Sequence, residues 1–209
     1  MQPQLITFTG ADDHTNRVDM AKLSLTYPVE WGILFSPKRQ GVDPRYPNEA
    51  TVRHLLGGGL PLAAHLCGKH SGDAMKGLIP GVSVELCDFA RVQINSRKPR
   101  GDRIAAFQSK LGVPCIAQAR GDTFPVSKEI QWLFDTSGGR GEAPTGWPEY
   151  PGCMVGYAGG INPDNVLEVI EAIDATGPYW IDMESGVRTD DLFDLNKCAK
   201  VCELVYGVR

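Results

Sequence analysis

The sequence predicts an α/β fold, a single (β/α)8 TIM barrel of parallel strands over residues 1–209, and three observations carry that prediction. Short apolar or alternating runs that end in polar residues recur eight times. Stretches with helical spacing separate several of them, the alternation that builds a parallel sheet. Eight strands in 209 residues is about 26 residues per unit, near the lower limit of roughly 200 residues for such a barrel, and eight units favour closure over an open doubly wound sheet.

The expected strands cover residues 5–9, 30–35, 62–67, 91–95, 115–120, 131–135, 154–158 and 179–183. Helices are clearest where Pro47-Asn48 opens residues 49–56, Asn162-Pro163-Asp164 opens 165–174, and Asp194 opens 195–205. Each start supplies an Asn or Asp to accept from free amides, and Pro163 suits a first helical turn. In the last helix Leu195, Cys198, Ala199, Cys202 and Val205 form one stripe that packs against a sheet. Residues 121–128 scarcely support a helix, and residues 138–152 are rich in Gly and Pro.

Composition excludes several classes. With 42% apolar residues a chain of this length buries roughly 70% of its unfolded surface, so neither disulfide nor metal is needed for a core. Lys and Arg number 21 against 25 Asp and Glu, and the one basic stretch (Arg97, Lys98, Arg100, Arg103) is short, so nucleic-acid and membrane-surface binding find no support. The first nine residues lack a targeting pattern and no apolar stretch approaches the ~18 residues of a span, which predicts a cytoplasmic protein. The six cysteines form no Cys-x-x-Cys and read as small buried hydrophobes, with no metal-ligand spacing. No cofactor motif is present, and a monomer or homodimer is expected.

In a barrel of this kind reactive groups sit at the carboxyl ends of the strands. Those positions hold Thr9, Ser36, His65, Cys67, Gln93, Asn95, Gln118, Asp135, Asp182 and Glu184. Alternation puts His65 and Cys67 on one face with Ala63. Three glycine turns follow strands six to eight: Gly138-Gly139-Arg140-Gly141, Gly159-Gly160 and Ser185-Gly186-Val187. Consecutive amides freed of side chains make an anion nest, which predicts a small phosphorylated substrate.

Taken together, Phe134-Asp135-Thr136-Ser137-Gly138-Gly139-Arg140-Gly141, Ala158-Gly159-Gly160-Ile161-Asn162-Pro163-Asp164-Asn165-Val166 and Ile181-Asp182-Met183-Glu184-Ser185-Gly186-Val187 resemble the last three units of the phosphoribosylanthranilate isomerase family. Phe35-Ser36-Pro37-Lys38 with Pro44-Arg45-Tyr46 resembles its second unit, and Val92-Gln93-Ile94 its fourth. The resemblance implies a (β/α)8 enzyme of tryptophan biosynthesis that turns an aminoaldose phosphate into an aminoketose phosphate by an Amadori rearrangement. It implies Asp135 as general acid, kept protonated by burial, and Arg45 as partner of an anionic group of the substrate. It places Gly138, Gly139, Gly159, Gly160, Asp182, Glu184, Ser185 and Gly186 around the substrate and its phosphate.

The chain also departs from the family pattern. Thr9 stands where the family has its basic cysteine, and a threonine hydroxyl with no base beside it takes up no proton near neutral pH. Glu184 replaces a serine beside the phosphate, where Arg140 and Arg188 are expected to offset its charge, and Asn95 replaces a histidine. His65 is therefore the candidate base, with Cys67 or Asp182 beside it. Two alternatives stay open: another proton-transfer or lyase activity on a small phosphorylated substrate, and a phosphate-ligand-binding relative that has lost the base.

Overall fold

The computed structural model describes residues 1–136, 138 and 140–208. Eight parallel strands close into a barrel in sequence order: β1 (Leu5–Thr9), β2 (Val29–Phe35), β3 (Leu62–Leu66), β4 (Arg91–Ile94), β5 (Cys115–Ala119), β6 (Gln131–Phe134), β7 (Val155–Ala158) and β8 (Tyr179–Met183). β8 returns to β1 with Thr7 opposite Asp182 and Phe8 opposite Met183, which seals the cylinder. All eight expected strands are present. Several end a residue earlier than expected, so Cys67, Asn95, Arg120 and Asp135 are the first residues of the loops that follow.

Among the described residues six α-helices surround the barrel: α1 (Arg17–Thr26), α2 (Glu49–Leu56), α3 (Lys69–Met75), α4 (Gly101–Leu111), α5 (Val166–Ile173) and α6 (Leu195–Tyr206). The caps of α2 and α6 act as the sequence suggests, whereas α5 starts only at Val166, after Pro163, and its N-cap Asn165 makes no side-chain capping bond. Asn48 Oδ1 accepts from the Thr51 amide, and Asp194 Oδ1 accepts from the amides of Asn196 and Lys197. Among the described residues no helix follows β5 or β6, in keeping with the composition of those segments. A short antiparallel pair, β9 (Arg188–Thr189) and β10 (Leu192–Phe193), extends the loop after β8. No helix of the described residues is long and apolar enough to cross a membrane.

Strand alternation divides the side chains. Trp31, Ile33 and Phe35 of β2 join the apolar layer between sheet and helices, while Glu30 reaches into the barrel. There it meets Arg91 of β4 in a buried two-pronged pair, with Arg91 Nε 2.9 Å from Oε2 and Nη2 2.6 Å from Oε1. Arg91 Nη1 also donates to Gln131 Oε1 at 2.8 Å, and its guanidinium lies 4.4 Å from the centre of the Trp180 ring. These groups stand at the amino ends of their strands and plug that end of the barrel. The opposite end is left open for a site.

Candidate active site

A cavity of about 680 Å³ opens at the carboxyl ends of the strands. It is lined by Thr9, Arg45, His65, Cys67, Asp135, Gly138, Gly159, Gly160, Asp182, Glu184 and Ser185, so most of the residues singled out in the sequence converge on one space. Gly186 does not line it. A Cβ there would collide with the Ile161 carbonyl oxygen, so this glycine lets the loops after β7 and β8 pack together instead. Gly139 lies outside the described residues.

Closure of the barrel brings Thr9 at the end of β1 against Asp182 of β8. The Thr9 hydroxyl donates to Asp182 Oδ1 at 2.8 Å. Asp182 is 7% exposed, and burial pushes its carboxyl up to about 8; the Thr9 hydroxyl opposes the shift, while Glu184, Glu30 and Asp135 add to it. Asp135, just after β6, is also buried and accepts from Gln118 Nε2 at 3.1 Å and from the Gly138 amide at 2.8 Å. Asp182 therefore exchanges its proton close to neutral pH.

His65 fares differently from the expectation that it is the base. It is 2% exposed, its Nε2 is buried without a hydrogen-bond partner, and burial with the nearby Arg91 charge lowers it to about 3. An imidazole so reluctant to take a proton is neutral at physiological pH and a poor acceptor. Cys67 is no thiolate either: burial pushes its pKa up, and its Sγ accepts from Asn95 Nδ2 at 3.3 Å. Among the described residues no three His, Cys, Asp or Glu side chains are grouped to hold a metal ion.

The charges around the expected anion site are rearranged as well. Arg45 pairs with Glu184 Oε1 and Asp191 Oδ1, each at 3.2 Å, so the chain's own carboxylates already occupy its guanidinium. Arg188 is 3% exposed and braces the loop after β8 through Asp12 Oδ2 at 3.2 Å and the Gly10 carbonyl at 2.7 Å. Arg140 pairs with Glu142 on the surface. Neither Arg188 nor Arg140 lines the cavity, and the partner that offsets Glu184 is Arg45. Trp147 packs against Phe134 and Tyr157.

Arg120 and Gly32 are two contributors that had no distinctive signal in the sequence. Gln118 and Arg120 form a relay in which Arg120 Nη2 donates to Gln118 Oε1 at 3.0 Å and Gln118 Nε2 donates on to Asp135. Gly32 of β2 leaves the gap between Thr9 and His65, and a Cβ there would stand 3.0 Å from His65 Nε2.

The loops after β6, β7 and β8 are also where known proteins agree with this chain. Residues 125–204 match the family model of N-(5'phosphoribosyl)anthranilate (PRA) isomerase. A stretch of 52 residues is 42% identical to N-(5'-phosphoribosyl)anthranilate isomerase of Thermoanaerobacter pseudethanolicus. Through its last three units the chain is similar to the phosphoribosylanthranilate isomerase family. The stretch covers 25% of this chain and 24% of that relative's length. The phosphoribosylanthranilate isomerase of Pyrococcus furiosus has the same fold, with a TM-score of 0.64 and 14% identity over 98% of this chain and 100% of that one. The isomerase of Thermococcus kodakaraensis gives 0.60 and 15% over the same shares. Asp135, Gly159, Gly160, Asp182, Glu184 and Ser185 fall inside the stretch that the family model matches, whereas Thr9, Arg45, His65 and Cys67 come from the earlier units.

Proposed function

We propose that this chain is an isomerase of the phosphoribosylanthranilate isomerase type, acting on an aminoaldose phosphate by general acid and base catalysis. The observation that carries this reading is the pair of buried carboxyls, Asp135 and Asp182, facing one cavity beside the glycine loops after β7 and β8. Positive φ angles of 129° at Gly159 and 64° at Gly160 leave the backbone there bare of side chains, and a phosphate fits against such amides.

Asp135 gives a proton to the ring oxygen, which opens the furanose to an iminium. Asp182, as carboxylate, takes the C2′ proton. The C–H electron pair becomes the C1′–C2′ double bond, and the C1′–N π pair moves onto nitrogen. Ketonisation then places a proton on C1′ and releases the hydroxyl proton at C2′, so no proton is gained or lost overall. Thr9 serves by orienting Asp182. An acceptor that titrates near the working pH suits this step better than a histidine at about 3.

The test is loss of phosphoribosylanthranilate fluorescence with purified protein, alongside Asp135→Asn. Turnover that drops by roughly 10²–10⁴-fold in the variant is expected. Phosphate binding without turnover would replace this reading with that of a binding relative that has lost its base.

A further inference from the structure

We infer, on the strength of the isomerase reading above, that Arg120 is a positioning residue for the reaction, acting on the Asp135 carboxyl through Gln118 and Gly138 rather than on the substrate. Alternation along β5 puts Gln118 and Arg120 on one face, and the pairing of Ala119 with Phe134 brings both beside Asp135. Gln118 and Asp135 are 4% and 5% exposed, so the bond between them is shielded from water.

Each oxygen of Asp135 accepts from a donor that Arg120 supports. Oδ2 accepts from Gln118 Nε2 at 3.1 Å, and Arg120 Nη2 holds the other end of that amide by donating to Oε1 at 3.0 Å. With its oxygen claimed by a cation, the amide presents its N–H groups to the carboxyl, and the cation polarises them. Oδ1 accepts from the Gly138 amide at 2.8 Å. The same glycine lies against the guanidinium: at φ 66°, a Cβ there would stand 2.5 Å from Nη2 and 2.7 Å from Nη1. One side chain therefore seats both donors. The buried Arg120 Nε has no partner, a cost that an arginine kept for packing alone avoids.

When Asp135 gives its proton to the ring oxygen, the O–H electron pair stays on the carboxyl group, and the negative charge develops between Gln118 and Gly138. Hydrogen bonds to a charged acceptor are the stronger ones, so these two tighten as the proton leaves. An interaction that grows along the reaction acts on kcat and leaves KM almost unchanged.

The experiment measures kcat and KM for phosphoribosylanthranilate in R120M, Q118M, R120K and the double variant Q118M/R120M. Solvent exchange of the Gln118 side-chain amide is followed by NMR, its signal identified by its loss in Q118M. In R120M kcat falls by about tenfold or more with KM within about twofold of the parent value, and the Gln118 amide exchanges about tenfold faster. R120K, which keeps a cation for Oε1, recovers most of kcat. R120Q, with a smaller neutral donor, shows the loss in kcat without a change in KM if R120M does not fold. The double variant loses less than the product of the two single losses, because Arg120 acts through Gln118. A raised KM at parental kcat, unchanged kinetics in R120M, fully multiplicative losses, or a Gln118 amide that exchanges as slowly in R120M as in the parent protein overturns the positioning role. Absence of turnover in the parent protein instead removes the isomerase reading, and amide exchange alone then decides whether Arg120 holds Gln118.

Discussion

Thr9 and Asp182 exchange a single hydrogen bond, and its removal has a predictable direction. The hydroxyl donates to the charged form of the carboxyl and so holds its pKa below the level that burial alone would set. Glu184 beyond the end of β8, Glu30 from β2 and Asp135 just after β6 add to the upward shift of Asp182, and His65 from β3 stays neutral. In T9V the rising limb of the pH profile of kcat/KM, expected near pH 8 in the parent protein, moves upward by about one to two units, because a hydrogen bond to a charged group contributes about 1.5–3 kcal/mol. A T9V profile whose limb stays in place would rule out the orienting role. The polar strand ends were readable from the sequence because alternation and barrel topology place them at the mouth. Their partners were not, since Thr9 and Asp182 are separated by 173 residues and Arg45 and Glu184 by 139. Side-chain rotamers across a closed barrel decide such pairs, and no local pattern encodes them.

At the scale of elements, the plug below the site sets the positions of the strands that carry it. Glu30 and Arg91 have side chains only 6% and 8% exposed, and they tie β2 to β4 across the barrel. R91M leaves Glu30 charged and unpaired in the interior, so a loss of about 3–5 kcal/mol in urea unfolding at pH 7 is expected. E30Q/R91M, which removes both charges, recovers much of it; equal destabilisation in the single and double variants would argue that packing rather than the ion pair holds this end. The elements themselves were legible. Eight strands announced themselves through alternation because one face of each meets helices and the other fills the barrel, and α2, α5 and α6 through their Asn and Asp starts. α1 carried weaker signals because Met20 is its sole fully buried residue, which leaves little amphipathic contrast to read. The plug was illegible for the opposite reason: buried Glu30 and Arg91 and half-buried Gln131 look like solvent-facing residues at strand starts until closure turns them toward each other.

For the molecule as a whole, the same interior that prepares the site sets how stability depends on pH. Folded, Asp182 keeps its proton to about pH 8; unfolded, it loses it near pH 4. The folded state therefore binds the extra proton across that window, and stability falls as pH rises through it. His65 acts the other way. Its pKa is about 3 folded and about 6.5 unfolded, so its contribution to stability is present above pH 6.5 and lost as pH falls toward 3. Between about pH 4 and 6.5 the two slopes oppose each other, and from about 6.5 to 8 the decline due to Asp182 stands alone. D182N carries no titrating proton and removes that decline. Its advantage over the parent protein in urea unfolding grows from pH 5 to pH 8 by at most about 1.4 kcal/mol per unit, then levels off. Parallel stability curves for the two proteins would mean that Asp182 titrates normally and would remove the ground for its part in proton transfer. The expected divergence makes the group a stability liability in the resting fold above neutral pH, which is where its carboxylate form begins to be populated for catalysis.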